Sequence, residues 1–256
     1  MLFLLVAVLA TASAGTIGVY DWRHMNAVAT PPKTQAVVTG PPATPAPSAT
    51  PVPLPASSRI QTVPFTIQAP FQVWDAAHQE YCEAAAVYMV GQYFKGDLRP
   101  TIPPAEADAA MGRIVAYERS AFPGVVNLSL ADMQQVGTNF YGLHSQVVPV
   151  DLQVIERDLA SGLPVIIPVM THGGPGGSMI YPTYGRENVY HVIVLVGYDD
   201  TQAAVYTNDA GLREGQYLKY PWSTLSTAID AQASTPVDGS GAPDPRQGRT
   251  MLVFTR

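Results

Sequence analysis

The sequence predicts an α+β domain, and two stretches carry that prediction. One is a helical run opening at Cys82; the other is a pair of strands between His191 and Thr207. A third observation limits the domain. Before Arg59 the chain is an apolar run followed by a proline-rich stretch, and neither has the pattern of a core element.

The helix follows the polar stretch Asp75 to Tyr81. It begins Cys82-Glu83-Ala84-Ala85-Ala86-Val87-Tyr88-Met89-Val90 and is expected to run to about Phe94 and stop near Gly96. Alanine has the highest helix propensity and a short side chain, so three in succession predict a closely packed helix. The strands are written in β-branched residues. His191 opens Val192-Ile193-Val194-Leu195-Val196-Gly197-Tyr198, which reads as a buried central strand. Asp199 to Gln202 reads as a turn, and Ala203 to Thr207 as a return strand ended by Asn208-Asp209-Ala210-Gly211. With the turn near residues 200 and 201, facing positions sum to about 401, so Asn208 and Asp209 lie beside His191.

The flanking region is organised differently. Leu2 to Ala10 is unbroken apolar sequence, followed by the small residues Thr11-Ala12-Ser13-Ala14-Gly15, and no Lys or Arg precedes Arg23. This resembles the hydrophobic part of an export signal, with Ala12-Ser13-Ala14 as a cleavage site. Uncleaved, Leu2 to Tyr20 matches the roughly 20 residues that span a bilayer. Residues 1–26 are therefore expected to be an export signal or membrane anchor, with the protein secreted or anchored on the outer face of the cytoplasmic membrane. From Ala27 to Ser58 the chain is rich in Pro, Thr, Ala and Val and lacks aromatics, so it has little to bury and favours extended geometry. Residues 27–58 are expected to be a linker, with the folded domain over 59–256.

Composition excludes some partners. A net charge of −6 with no Lys or Arg run provides no electrostatic footprint for nucleic acid. No His or Cys cluster has metal-ligand spacing, and the Gly173 to Gly177 run lacks the Lys-Ser/Thr of a phosphate loop, so no cofactor or metal is expected. A flap beside a cleft suits that glycine run better.

Chemistry is expected at the single cysteine. Cys82 sits where a helix presents its unpaired N–H groups and positive dipole end, which favours a thiolate and predicts a depressed thiol pKa. A nucleophilic thiol needs an imidazole and a third group to orient that imidazole. Of the five histidines, His24, His78, His144 and His172 lie in leader, loop or strand-edge settings and read as ordinary polar residues. His191 instead opens the central strand, beside the two candidate orienters Asn208 and Asp209.

These residues resemble a known family. Val63-Pro64-Phe65-Thr66-Ile67-Gln68-Ala69-Pro70-Phe71, Trp74-Asp75 and Glu80-Tyr81-Cys82-Glu83-Ala84-Ala85 are similar to the nucleophile region of cysteine peptidase family thirty-nine-like domains. Those domains are relatives of the bacteriocin-leader-processing peptidases within the papain-like superfamily. Tyr190-His191-Val192-Ile193, Gly197-Tyr198-Asp199-Asp200 and Tyr206-Thr207-Asn208-Asp209 continue the likeness in the same chain order. The resemblance implies a papain-like α+β fold, its nucleophile helix packed on an antiparallel sheet. It implies Cys82 as nucleophile, His191 as general base, Asp209 as orienter and Gln68 as side-chain oxyanion donor. Gln68 stands fourteen residues before Cys82, a longer spacing than in the leader-processing enzymes, and Gln79 is the nearer competitor. The expected activity is peptide-bond hydrolysis on peptide or protein substrates. Two alternatives share the fold: an amidase or endopeptidase acting on cell-wall stem peptides, and a peptide-binding module without catalysis.

Overall fold

A computed structural model describes residues 53–171, 189–234 and 248–256. The leader, His24, most of the expected linker, His172 and the Gly173 to Gly177 run lie outside the described residues.

The described chain forms five helices and seven strands: β1 (Ser57–Arg59), α1 (Cys82–Lys95), α2 (Pro104–Ala121), α3 (Leu130–Tyr141), β2 (His144–Pro149), α4 (Leu152–Ala160), β3 (Val165–Met170), β4 (Tyr190–Asp199), β5 (Ala204–Asn208), β6 (Leu218–Pro221), α5 (Trp222–Ala233) and β7 (Thr250–Thr255). The strands make one antiparallel sheet in the order β2-β7-β3-β4-β5-β6, with β1 also paired to β4. The α+β class expected from sequence is the class observed.

Strand β4 is the spine. One of its edges pairs with β3 over Tyr190 to Leu195 and then with β1 over Gly197 to Asp199, while the other pairs with β5. Every residue of β3 and all of β4 after Tyr190 are buried. Continuous burial along a strand means both faces of the sheet are covered there, which is why these segments read as unbroken apolar runs. Ser57 and Ser58, at the end of the stretch assigned to the linker, are part of β1. Gly197 permits that pairing, because a Cβ there would sit 2.5 Å from the Ser58 carbonyl oxygen.

Helix α1 packs on β4, and its Ala84, Ala85 and Ala86 are fully buried. Short side chains let the two backbones approach, bringing the helix start up to the beginning of β4. The helix ends at Gly96, which is left-handed (φ 84°) and donates to the carbonyls of Gln92 and Tyr93.

The β4–β5 register departs from the expected sum. Asp199 pairs with Ala204, Tyr198 with Val205 and Gly197 with Tyr206. The turn is longer than expected, because Asp200–Gln202 form a 3-10 turn and Ala203 adds a left-handed residue. A bulge between Leu195 and Gly197 then recovers one position, so Leu195 pairs with Thr207 and Val194 with Asn208. Pairing with β5 ends there, three residues short of His191.

Candidate active site

Cys82 is the first residue of α1, and no side chain caps that helix start. The sulfur is nonetheless enclosed, with Cys82 only 4% exposed. Its Sγ–H donates to Glu83 Oε2 at 2.9 Å. Glu83, 3% exposed, accepts the Leu128 N–H on its other oxygen at 2.9 Å. The Leu128 carbonyl in turn accepts from Tyr190 Oη at 3.1 Å, so the approach to α3 is tied to both α1 and β4.

The depressed thiol pKa expected from sequence is overturned. Burial pushes the Cys82 thiol well above its ordinary value, and the Glu83 carboxylate adds to the rise through its charge and its hydrogen bond. The backbone N–H of Val192, the residue after His191, opposes this by donating to the sulfur. The physical reason is relative size. A helix terminus contributes about 0.3–1 kcal/mol, whereas full burial can move a pKa by roughly 3–5 units. Burial also raises Glu83 itself, against the bonds it accepts from Cys82 and Leu128.

The opposite wall of the site is built from β4, β6 and the turn after β5. His191 Nε2 lies 2.7 Å from Asp209 Oδ1, and both residues are buried. An ionised carboxylate only accepts, so Nε2 carries the hydrogen and Nδ1 is the nitrogen able to take a proton. The same Asp209 oxygen accepts the Gly211 N–H at 3.0 Å, and Oδ2 accepts the Tyr220 hydroxyl at 2.8 Å. Asp209 is therefore gripped from three directions. Past Asn208 the chain folds into a loop in which Asp209 N–H donates to the Gly215 carbonyl. Gly215 is required sterically, because a Cβ there would fall 1.9 Å from the Asp209 carbonyl oxygen. Asn208, the other candidate orienter, bonds elsewhere: Nδ2 donates to the Val63 carbonyl and Oδ1 accepts from Tyr217 N–H.

Between these walls lies a cleft of about 400 Å³, whose lining includes Gln68, Gln79, Glu80, Trp74, Tyr190 and His191. Cys82 does not line it. Gln68 is buried, and its backbone N–H donates to the Ala210 carbonyl in the turn beside Asp209. Its amide donates to the His78 carbonyl at 2.9 Å and the Gln79 carbonyl at 3.0 Å, committing both amide hydrogens, while Oε1 is buried without a partner. Gln79 is exposed, and its Nε2 makes only a 3.4 Å contact to the Trp74 carbonyl.

Three groups at or beside the site escaped the sequence reading. Tyr220 carried no signal beyond its place on a short strand after the Asn-Asp turn. Glu83 did carry one: a carboxylate among three alanines at a helix start cannot point to solvent if the helix packs. Glu118 on α2 has its carboxyl held up to about 8 by burial first and by the charge of Glu83 second, with Arg119 opposing. Its Oε1 is buried without a hydrogen-bond partner. His78 joins Asp75 (Nδ1, 2.9 Å) to Asp108 (Nε2, 2.9 Å) and pins the loop before α1 to α2. Among the described residues no group of three or more His, Cys, Asp and Glu could hold a metal ion.

No curated protein matches the chain. Among solved structures, a candidate C39-like peptidase from Bacillus anthracis is similar at 14% identity and TM-score 0.49, over 78% of this chain and 98% of that one. Xylellain, a cysteine protease from Xylella fastidiosa, is similar at 14% identity and TM-score 0.44, over 79% of this chain and 87% of that one. The family model described as the Peptidase_C39 like family matches residues 60–233, well over half of the 256-residue chain and all of the site described above, and the chain belongs to that family.

Proposed function

We propose that the protein is an exported cysteine peptidase that hydrolyses peptide bonds with Cys82 as nucleophile, His191 as general base and Asp209 as orienter. The observation that carries this reading is the buried 2.7 Å His191–Asp209 contact, opening the strand that packs against the helix led by Cys82. Because Nε2 faces Asp209, proton exchange with the thiol falls to Nδ1. In the forward step the Cys82 proton moves to Nδ1 and the thiolate attacks the scissile carbonyl carbon. The C–S bond forms and the carbonyl electron pair moves onto oxygen. The imidazolium then protonates the leaving amine as the C–N bond breaks. Water, deprotonated by His191, releases the acyl group and regenerates the thiol.

The oxyanion is stabilised by the first backbone N–H groups of α1 and by a glutamine amide. Gln68 has the family-like position; in the resting arrangement Gln79 has the amide with spare donor capacity. Export rests on the apolar leader and the proline-rich stretch.

The reading is tested with Cys82→Ala and a quenched fluorescent peptide library. Cleavage by the parent and its complete loss in the variant are expected, since the chain has no other thiol. Unchanged cleavage by Cys82→Ala, or none by the parent, removes the peptidase assignment.

A further inference from the structure

The carboxylate beside the nucleophile has no role in the cycle written above. Glu83 is nearly fully buried, and both its oxygens are engaged, one by the Cys82 thiol and one by the Leu128 N–H. The Leu128 bond fixes its orientation, because rotating the carboxylate away would strip a buried backbone donor of its partner. The groups facing it come from each neighbouring element. Glu80, on the turn before α1, contributes negative charge, and Glu118, from α2, is a second carboxyl that becomes charged only above about pH 8, with Arg119 beside it. From β4 comes the Val192 N–H, which donates to the sulfur; His191, the residue before it, bonds Asp209. The thiol hydrogen therefore points at a carboxylate held in a mainly acidic setting.

Resting on the peptidase reading, we infer that Glu83 is the resting-state partner of the nucleophile, holding the Cys82 thiol hydrogen until a substrate occupies the cleft. The step is conservative. The Sγ–H···Oε2 bond breaks and its hydrogen passes as a proton to His191 Nδ1, giving thiolate and imidazolium. Glu83 keeps the Leu128 bond and gains no proton. After deacylation the imidazolium returns the proton to the thiolate and the bond to Glu83 re-forms. The arrangement keeps the chain's only cysteine as a thiol, the form that resists oxidation and stray alkylation.

The test is the pH dependence of iodoacetamide alkylation of the full chain, for the parent and for Glu83→Gln. Glutamine keeps an oxygen for the Leu128 N–H while removing the charge. The parent is expected to follow a midpoint above that of an ordinary thiol, about 8.5. Glu83→Gln is expected to lower it by at least about one unit, roughly a tenfold faster reaction at pH 7. A parent midpoint at or below the ordinary value overturns the inference, and so does a folded Glu83→Gln with an unmoved midpoint. If Glu83→Gln fails to fold, the parent midpoint decides alone. Cleavage of the peptide library separates this result from the parent reading. Cys82-dependent cleavage with an unmoved Glu83→Gln midpoint removes only the role of Glu83. A lowered midpoint without cleavage removes the peptidase reading and leaves the thiol–carboxylate pair standing.

Discussion

The two walls of the site are prepared to different degrees. On the strand side, His191, Asp209 and Tyr220 form a closed hydrogen-bonded chain, with Gly211 N–H adding a further bond to the carboxylate. On the helix side, the thiol hydrogen is bound to Glu83. The difference follows from the elements. Paired strands bring residues far apart in sequence to fixed spacings, so β5 delivers the chain to the loop that aims the Asp209 carboxylate, and Tyr220 of β6 holds it. At the helix start the sulfur accepts the Val192 N–H from β4, but its own hydrogen is captured by the adjacent Glu83 side chain. On the proposed mechanism, reorganisation would therefore be concentrated in one hydrogen bond at Cys82, with His191 needing no rearrangement.

Breaking the prepared wall should have the largest effect. Asp209→Ala removes the acceptor of His191 Nε2–H and the partner of the Tyr220 hydroxyl, so the ring can adopt the wrong tautomer and orientation. A fall in kcat on the order of a hundred- to ten-thousandfold is expected, with KM little changed. Alkylation of Cys82 by iodoacetamide should be much less affected, because the resting thiol hydrogen is held by Glu83. Steady-state kinetics beside an alkylation time course measure both. Equal loss in the two assays would mean that the walls are not independent.

A smaller effect sharpens the boundary between the walls, where the glutamines lie. Removing the side-chain oxyanion donor should lower kcat on the order of a hundred- to a thousandfold while leaving thiol alkylation normal, since alkylation builds no tetrahedral oxyanion. With both Gln68 amide hydrogens given to the His78 and Gln79 carbonyls, Gln79→Ala is expected to show that signature and Gln68→Ala to lower stability as well. If Gln68→Ala alone shows it, substrate binding must release one of those carbonyls.

What could be read from sequence divides along the same line. Helix α1 was legible from Ala84-Ala85-Ala86 and Gly96, and β4 from its β-branched run, because helix propensity and continuous burial are local properties. Asp209 against Asn208 was not, since that choice turned on a left-handed Ala203 and a bulge at Val196 that together reset the register. The direction of the Cys82 pKa is not legible for a related reason: helix position is visible in sequence, but the depth of burial and the aim of Glu83 are not. Tyr220 reaches Asp209 from a strand eleven residues further on, and nothing local in its sequence marks that contact.

The smallest expected effect concerns the loop that carries Gln79 toward the cleft. His78 clamps it by bridging Asp75 and Asp108, and the bond to Asp108 first, with the bond and charge of Asp75 adding, raises the His78 pKa against a partial opposing effect of burial. The sign follows from linkage: a group with a raised folded pKa stabilises fully below its unfolded value, about 6.5, and loses that contribution as pH rises through the folded pKa. His78→Ala should therefore lower Tm more at pH 5.5 than at pH 9. The difference should be only about 2 °C, because the partners are solvent-exposed and such pairs are weak. Thermal melts of parent and variant at the two pH values in low salt measure it, and 0.5 M salt should shrink it. A difference that is equal at both pH values would assign His78 a packing role without a charged one. In that case the loop is clamped at every pH by His78 packing together with the Gln68 amide bonds to the His78 and Gln79 carbonyls.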